Sequence, residues 1–214
     1  MSSATFLRNG EPTSSHVLLL AHGAGAGMDT EFMDAIAQGI ADYSMSVIRF
    51  EFLYMQRTRE LGKKRPPDSA PKLLAHFAAM IDQIKAELDS QQRLWVGGKS
   101  MGGRVASMTA TNPNHQLAGC ICLGYPFHPP GKPERLRVDH FSALQCPTLI
   151  IQGTRDPFGK PEENVEAHLS EAMCLRWLDS GDHSLKARKK DPRSTEEQWT
   201  EAARWAASFM LNNG

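Results

Sequence analysis

The sequence lacks a charge excess, a long apolar run and internal repeats, and each absence excludes a class of protein. Lysine and arginine together number 24, as do aspartate and glutamate, so no net field favours nucleic acid or an anionic membrane. No apolar run approaches the ~20 residues that a membrane-spanning helix needs. Residues 1–5 do not have the pattern of a signal peptide. We therefore expect a cytoplasmic protein that binds neither nucleic acid nor membrane.

Cysteine is also scarce, and its placement favours packing over chemistry. The 4 cysteines lie mostly in or beside apolar segments, and Cys120 and Cys122 share one face of a predicted strand. Small buried hydrophobic residues are the favoured interpretation, and a metal or redox pair is the alternative. The histidines have no spacing typical of a metal site. The sequence therefore predicts neither a metal nor another cofactor.

The apolar pattern alternates between strands and helices along the 214 residues, which suits one α/β domain spanning residues 1–214. The predicted strands are Val17–Ala21, Ser46–Phe52, Arg93–Gly97, Gly119–Gly124, Thr148–Gln152 and Leu175–Leu178, with a further edge strand near residues 5–8. The predicted helices are Thr30–Tyr43, Pro71–Leu88, Met101–Thr111, Pro161–Ala172 and Thr195–Leu211. Strands separated by helices predict a mostly parallel sheet of about six or seven strands, with helices on both faces and no large cap.

A Gly-Lys-Ser-Met-Gly motif covers residues 98–102, directly after an apolar segment. A serine between a buried strand and a helix sits on a sharp turn that exposes its hydroxyl. Gly98 and Gly102 leave room for the strand and the helix to approach each other. The N–H of Met101, at the start of the helix, would point to where an oxyanion forms. The motif predicts that Ser100 is a nucleophile for acyl transfer, although a turn without chemistry fits the motif alone.

A second glycine-rich turn, His-Gly-Ala-Gly-Ala-Gly, covers residues 22–27 after the first core strand. Glycines there let backbone N–H groups face a ligand, so we predict that Ala24 supplies a second oxyanion donor. His22 is predicted to shape this loop through a side-chain hydrogen bond and to border the substrate. Dinucleotide binding is the alternative, but its last glycine would fall at Met28. A phosphate-binding loop at the Gly-Lys-Ser segment is excluded because its first glycine would fall at Arg93.

Two later strand ends supply the partners that a nucleophilic serine needs. Asp156 follows the strand Thr148–Gln152, and His183 follows Leu175–Leu178. Because the carboxyl ends of parallel strands lie along one edge of a sheet, these side chains can converge on Ser100. A nucleophile, an acid and a base in this chain order are typical of one serine-hydrolase arrangement.

Other residues compete for the same roles. His22 is the alternative base, but its place before a glycine suits loop shaping better than proton transfer. Asp179 and Asp182 are alternative acids, but a residue beside the histidine rarely reaches its ring. Asp156 and His183 are therefore the preferred assignments.

These motifs resemble those of small, uncapped α/β-hydrolases. The closest resemblance is to the bacterial hydrolase-like proteins related to KAT8 regulatory NSL complex subunit 3 and to testis-expressed hydrolase-like proteins. The stretches that carry it are His22–Gly25, Gly98–Arg104, Gln152–Gly159 and Gly181–Ser184. The resemblance implies the fold and the nucleophile, acid and base positions, but hardly any substrate. A broader likeness to dienelactone hydrolases and small carboxylesterases rests on the same residues.

Two longer stretches predicted as irregular border the same edge. The first, Leu53–Ala70, is basic between Arg57 and Arg65 and can select a carboxylate or phosphate, with Arg104 as a deeper contributor. A solvated polar loop is the alternative. In the second, residues 125–140, Tyr125, Phe127 and His128 are predicted to line an acyl pocket, with plain packing as the equal alternative.

The sequence thus predicts a serine hydrolase that forms an acyl-enzyme on a small ester or thioester. Its predicted partner is a small-molecule acyl substrate, and the sequence specifies no oligomeric state. The alternative is a catalytically silent, hydrolase-like binding or scaffold protein, since fold does not determine function. Against that alternative, every triad position and oxyanion-loop glycine carries the residue that catalysis requires.

Overall fold

A seven-stranded sheet organises the chain in the computed structural model, which describes residues 6–214. The strands are β1 (Leu7–Asn9), β2 (His16–Ala21), β3 (Ser46–Phe50), β4 (Arg93–Lys99), β5 (Gly119–Leu123), β6 (Thr148–Gly153) and β7 (Met173–Leu178). Their order across the sheet is β1-β3-β2-β4-β5-β6-β7. Every neighbouring pair is parallel except β1 with β3. The predicted fold class is therefore confirmed.

Helices cover both faces of this sheet. They are α1 (Glu31–Ala41), α2 (Leu53–Leu61), α3 (Ala70–Lys85), α4 (Met101–Ala110) and α5 (Thr195–Asn213). Alternate residues of the central strand β2 point to opposite faces, as a strand requires. Leu18 and Leu20 pack with the buried side chains of α1 and α5, while Leu19 packs with those of α3 and α4. No helix within residues 6–214 is long and apolar enough to cross a membrane.

The first strand lies slightly later than predicted. It pairs antiparallel with β3, with Leu7 opposite Arg49 and Asn9 opposite Val47. The prediction placed this strand near residues 5–8, and residue 5 lies outside the described part of the chain. One short edge strand is therefore present, and it joins the sheet beside β3.

The prediction of an irregular stretch from residue 53 to residue 70 was wrong, because residues 53–61 form α2. Tyr54 and Met55 are buried on one side of this helix, and Gly62 ends it with a left-handed φ of 61°. Most of its other residues are strong helix formers. The charged composition and the prolines at positions 66 and 67 hid this short helix from a pattern analysis.

The predicted α-helix from Pro161 to Ala172 was also wrong. Two short 3₁₀ turns occupy the segment, Pro161–Glu163 and Val165–His168. Asn164, between them, has a left-handed φ of 52°, which an α-helix cannot accommodate. The buried Val165 anchors this segment in the core, although the segment is not an α-helix.

The packing of α3 on the sheet generates a stability prediction. Phe77 is fully buried, and its ring centroid lies 5.2 Å from that of Phe50 on β3. Phe77→Ala should lower the free energy of unfolding by about 3–5 kcal/mol, because it removes the ring and leaves a cavity. Lys72→Ala on the exposed side of the same helix should change it by less than about 0.5 kcal/mol. Urea denaturation measures both, and equal losses would contradict this packing.

Candidate active site

Ser100 occupies the sharp turn between β4 and α4. Its backbone has φ of 52° and ψ of −115°, a strained conformation that costs about 1–3 kcal/mol. The Ser100 N–H donates to the carbonyl oxygen of Leu123 in the neighbouring strand at 2.9 Å. A Cβ at Gly98 would collide with the backbone of Gly102. The predicted steric role of Gly98 is confirmed: strand and helix approach so closely that Ser100 must turn sharply.

The imidazole of His183 lies between the Ser100 hydroxyl and a carboxylate. Its Nε2 atom is 2.8 Å from Ser100 Oγ, and its Nδ1 atom is 2.7 Å from Asp156 Oδ2. The ring stacks on Phe158, with 4.2 Å between the ring centroids. The residues predicted as nucleophile, base and acid thus form one continuous hydrogen-bonded chain. Such a chain can remove a proton from a serine hydroxyl and hold the resulting imidazolium.

Asp156 is fully buried, and both of its carboxylate oxygens are satisfied. Oδ1 accepts from the backbone N–H of Phe158 at 2.9 Å. Oδ2 accepts from the Gln152 side-chain amide at 2.9 Å as well as contacting His183. These donors orient the carboxylate toward the imidazole and stabilise its negative charge.

Sequence reasoning missed Gln152 and Gly124, which both support this pair. Gln152 is buried near the carboxyl end of β6, and its amide also donates to the carbonyl of Tyr125 at 3.1 Å. Gly124 has a φ of 62°, and a Cβ there would lie only 2.6 Å from the carbonyl oxygen of His183. The available signal for Gln152 was an amide inside an otherwise apolar strand, four residues before Asp156.

The competing residues have other contacts. One carboxylate oxygen of Asp182 accepts from the N–H groups of Ser184 and Lys186, at 2.7 and 2.9 Å, and so shapes the loop that carries His183. The carboxylate of Asp179 lies 3.5 Å from the hydroxyl of Thr154. Neither acid contacts the imidazole of His183.

His22 is a buried, neutral residue that shapes its loop. Its Nε2 atom accepts the backbone N–H of Phe52 at 3.1 Å, so the ring proton lies on Nδ1 and is donated to the Gly23 carbonyl at 2.7 Å. Burial lowers the pKa of His22, in agreement with this uncharged form. The predicted loop-shaping hydrogen bond is present, but the fully buried side chain does not border a substrate.

The same hydrogen bond orients the next peptide group. The Gly23 carbonyl also lies 3.4 Å from the hydroxyl of Tyr54, so two donors hold it. In a trans peptide the N–H points opposite to the carbonyl, and the Ala24 N–H is therefore directed away from His22. Within residues 6–214, neither this N–H nor that of Met101 donates to a protein acceptor. Both predicted oxyanion donors are thus available.

A cleft of about 400 Å³ opens beside Ser100 and His183. Gly23 and Ala24 line one part of it, and Phe32 contributes an apolar wall. The cleft can accommodate a small acyl group next to the serine hydroxyl. No group of three or more His, Cys, Asp or Glu side chains that could hold a metal ion occurs in the described part of the chain.

A family model described as an alpha/beta hydrolase domain matches residues 14–211. The chain belongs to the alpha/beta hydrolase family.

Solved structures with the same fold cover nearly the whole hydrolase. The dienelactone hydrolase from Anabaena variabilis has a TM-score of 0.75 at 17% identity, over 97% of this chain and 91% of that one. Est1E from Butyrivibrio proteoclasticus, solved with ferulic acid, has a TM-score of 0.72 at 17% identity, over 98% and 94%. An alpha-beta serine hydrolase homologue from Coxiella burnetii has a TM-score of 0.69 at 16% identity, over 98% and 90%. At these identities the likeness concerns the fold.

The structure corrects the predicted acyl-pocket residues of this hydrolase. Tyr125 and Phe127 are fully buried, their ring centroids lie 5.0 Å apart, and both rings pack against Phe141. The Tyr125 hydroxyl donates to the carbonyl of Arg137 at 2.8 Å. The packing alternative describes these aromatic residues, because they are buried and do not line the cleft. The same holds for His128.

The predicted basic contributors also lie elsewhere. Arg57 pairs with Asp68 at 2.8 Å, and Arg59 pairs with the buried Glu51 at 2.6 Å, so both guanidinium groups have partners inside the hydrolase. Arg104 does not line the cleft. Its charge acts instead on His140, whose pKa is lowered to about 4 by burial and by the Arg104 charge.

Lys99 lines the cleft instead, and its burial generates a pH prediction. Burial is the main cause that lowers its pKa from 10.5 to about 8. Between pH 8 and 10.5 the unfolded chain binds more protons than the folded hydrolase. The free energy of unfolding should therefore rise as the pH rises through this window, and fall as the pH falls through it. Relative to Lys99→Met, the wild type should gain up to about 3 kcal/mol of unfolding free energy from pH 8 to 10.5.

Urea denaturation of both proteins at several pH values measures this difference. Other titrating groups are common to the two proteins and cancel in the comparison. Parallel stability curves would contradict the depressed pKa of Lys99.

Proposed function

We propose that this hydrolase is a serine hydrolase that forms an acyl-enzyme on a small ester or thioester. The observation that carries the proposal is the continuous chain from Ser100 Oγ through the His183 imidazole to Asp156, with links of 2.8 and 2.7 Å. The cleft beside this chain and the two backbone donors next to it support the same chemistry.

In the first step, His183 Nε2 accepts the hydroxyl proton as Ser100 Oγ bonds to the acyl carbon of the substrate. The bond from that carbon to the leaving oxygen or sulfur then breaks, and His183 returns the proton to the leaving alcohol or thiol. Water attacks the acyl-serine with His183 again as base, which releases the acid and restores the hydroxyl. Asp156 holds the imidazole in the required tautomer and stabilises its cation.

The tetrahedral intermediates carry a negative oxygen, and backbone N–H groups of Ala24 and Met101 are proposed to bind it. These groups are part of the folded loops, so little reorganisation accompanies the reaction. His22 and Tyr54 act as positioning residues for the first donor, because they hold the carbonyl of the same peptide group, that of Gly23. The strained turn and the N-terminus of α4 position the second.

Three further properties belong to this proposal. The motifs at residues 22–25, 98–104, 152–159 and 181–184 support closer kinship with the hydrolase-like proteins related to KAT8 regulatory NSL complex subunit 3. We propose that residues 1–214 act as one hydrolase domain. We further propose that it works in the reducing cytoplasm, which its free cysteines suit.

Labelling with a fluorophosphonate probe tests the nucleophile. A serine that a neighbouring base activates should form an adduct, so peptide mass spectrometry should locate the probe on Ser100. Ser100→Ala and His183→Ala should both abolish it, while Ser184→Ala, which leaves the triad unchanged, should retain it. Turnover of short-chain esters should fall about 10⁴-fold or more in Ser100→Ala.

Two outcomes would overturn the proposal. Turnover close to wild type in Ser100→Ala would place the chemistry elsewhere. Absence of an adduct and of turnover in the folded wild type at several pH values would favour a catalytically silent binding protein.

Removing one backbone N–H tests the oxyanion donors. Gly25 has a φ of 77°, as the third residue of a type II turn requires, and proline is favoured just before it. Ala24→Pro should therefore preserve the turn while deleting the N–H, and kcat should fall about 10²–10³-fold. Ala24→Gly retains the N–H and should lose far less. Equal kcat values for these two variants, with both folded by circular dichroism, would exclude Ala24 as a donor.

A further inference from the structure

Lys99 is a buried cation directly before the proposed nucleophile. Only 8% of the residue is exposed, and it lines the same cleft as Ser100 and His183. Its ammonium group donates to the carbonyl oxygen of His183 at 2.5 Å and lies 5.7 Å from the centre of the Phe32 ring. The catalytic chain uses neither the charge nor the remaining hydrogens of this group.

The charge of Lys99 has no partner within the described residues, where no carboxylate oxygen lies within 4.0 Å of its ammonium group. Asp156 and Asp182 favour its charged form, but only from a distance. Both carboxylates are already held, Asp156 by His183 and Gln152 and Asp182 by loop N–H groups. A buried ammonium without a counter-ion is costly and gains most from an anion.

The hydrogen-bond capacity of the group supports the same conclusion. A lysine ammonium has three N–H donors, and the His183 carbonyl uses one. The Phe32 ring offers a cation–π contact but accepts no full hydrogen bond. At least one N–H therefore remains for a ligand in the cleft. A role confined to holding the His183 loop would leave this donor and the charge unused.

The rest of the cleft has the same electrostatic character. Lys186 lines its rim and lies 5.4 Å from the Trp199 ring, without a carboxylate within 4.0 Å in residues 6–214. Glu31 is the acidic residue among those that line the cleft, and it is exposed at the start of α1. Solvent screens Glu31 more effectively than it screens the buried Lys99. The cleft thus presents a buried positive charge to its contents.

We propose that Lys99 is a specificity-determining residue that binds a carboxylate of the substrate, so that the hydrolase prefers acyl substrates that carry a negative charge near the scissile bond. This inference rests on the proposed serine-hydrolase function. The carboxylate would accept a charge-assisted hydrogen bond from the Lys99 ammonium while the scissile carbonyl contacts Ser100 in the same cleft.

Three ethyl- or valeryl-based esters test the preference. Ethyl valerate is neutral, monoethyl glutarate carries a carboxylate on the acyl side, and carboxymethyl valerate carries one on the alcohol side. Proton release gives kcat/KM for each ester with the wild type, Lys99→Met and the surface control Lys72→Met. For each protein, the kcat/KM of whichever charged ester reacts faster is divided by the kcat/KM of ethyl valerate. Lys99→Met should reduce this ratio by about 10-fold or more, because a charge-assisted hydrogen bond is lost.

The control Lys72→Met should retain the wild-type ratio. An equal loss on charged and neutral esters in Lys99→Met would indicate a role limited to positioning His183, and would overturn the inference. The proposed function would still stand, because fluorophosphonate labelling of Ser100 reports on it separately.

Binding to the inactive Ser100→Ala protein gives a readout that does not depend on turnover. By NMR titration, monoethyl glutarate or carboxymethyl valerate should bind more tightly than ethyl valerate, and adding Lys99→Met should remove the difference. Equal binding of all three esters by Ser100→Ala would overturn the anion preference even if the hydrolase turned over none of them.

Discussion

The close approach of β4 to α4 is the constraint on which the site depends. With no side chain at Gly98, the first turn of α4 lies against the end of the strand, and the chain must reverse direction within Ser100. That reversal accounts for the positive φ of a serine, which is unfavourable in isolation. It also places the Ser100 hydroxyl where the loops after β6 and β7 can reach it. The packing of the sheet thus stabilises a conformation that a free chain would avoid.

The strand ends could be predicted because the apolar pattern and the order of the elements along the chain are properties of the whole sheet. Residues 100, 156 and 183 follow β4, β6 and β7, so the parallel fold alone brings them to one edge. The side-chain partners at that edge could not be predicted in the same way. Tyr125 and Phe127 follow β5 at the same edge, yet they pack inward on Phe141. Sequence position identifies the edge, but whether a side chain faces the core or the cleft depends on three-dimensional packing.

The same distinction explains why Gln152 and Lys99 escaped prediction. Both residues lie at the carboxyl ends of buried strands, where the apolar pattern does not explain a polar side chain. Their partners, the Asp156 carboxylate and the His183 carbonyl, come from residues 4 and 84 positions along the chain. The bond from Lys99 is long-range, and neither hydrogen bond leaves a periodic pattern in the sequence. Conversely, the short-range bond from His22 to the next carbonyl was predictable from adjacency and is present.

The site therefore combines two kinds of buried polar group with different consequences. Asp156 is fully satisfied by its neighbours, so its burial contributes order and a fixed direction for the imidazole. Lys99 is satisfied only in part, so burying its charge has a free-energy cost that a bound anion can lower. A serine hydrolase needs the first kind of group for its chemistry whatever its substrate. In the proposed mechanism the second kind makes no contribution to proton transfer, and the proposed binding of a substrate carboxylate would give this buried, unpaired charge its counter-ion.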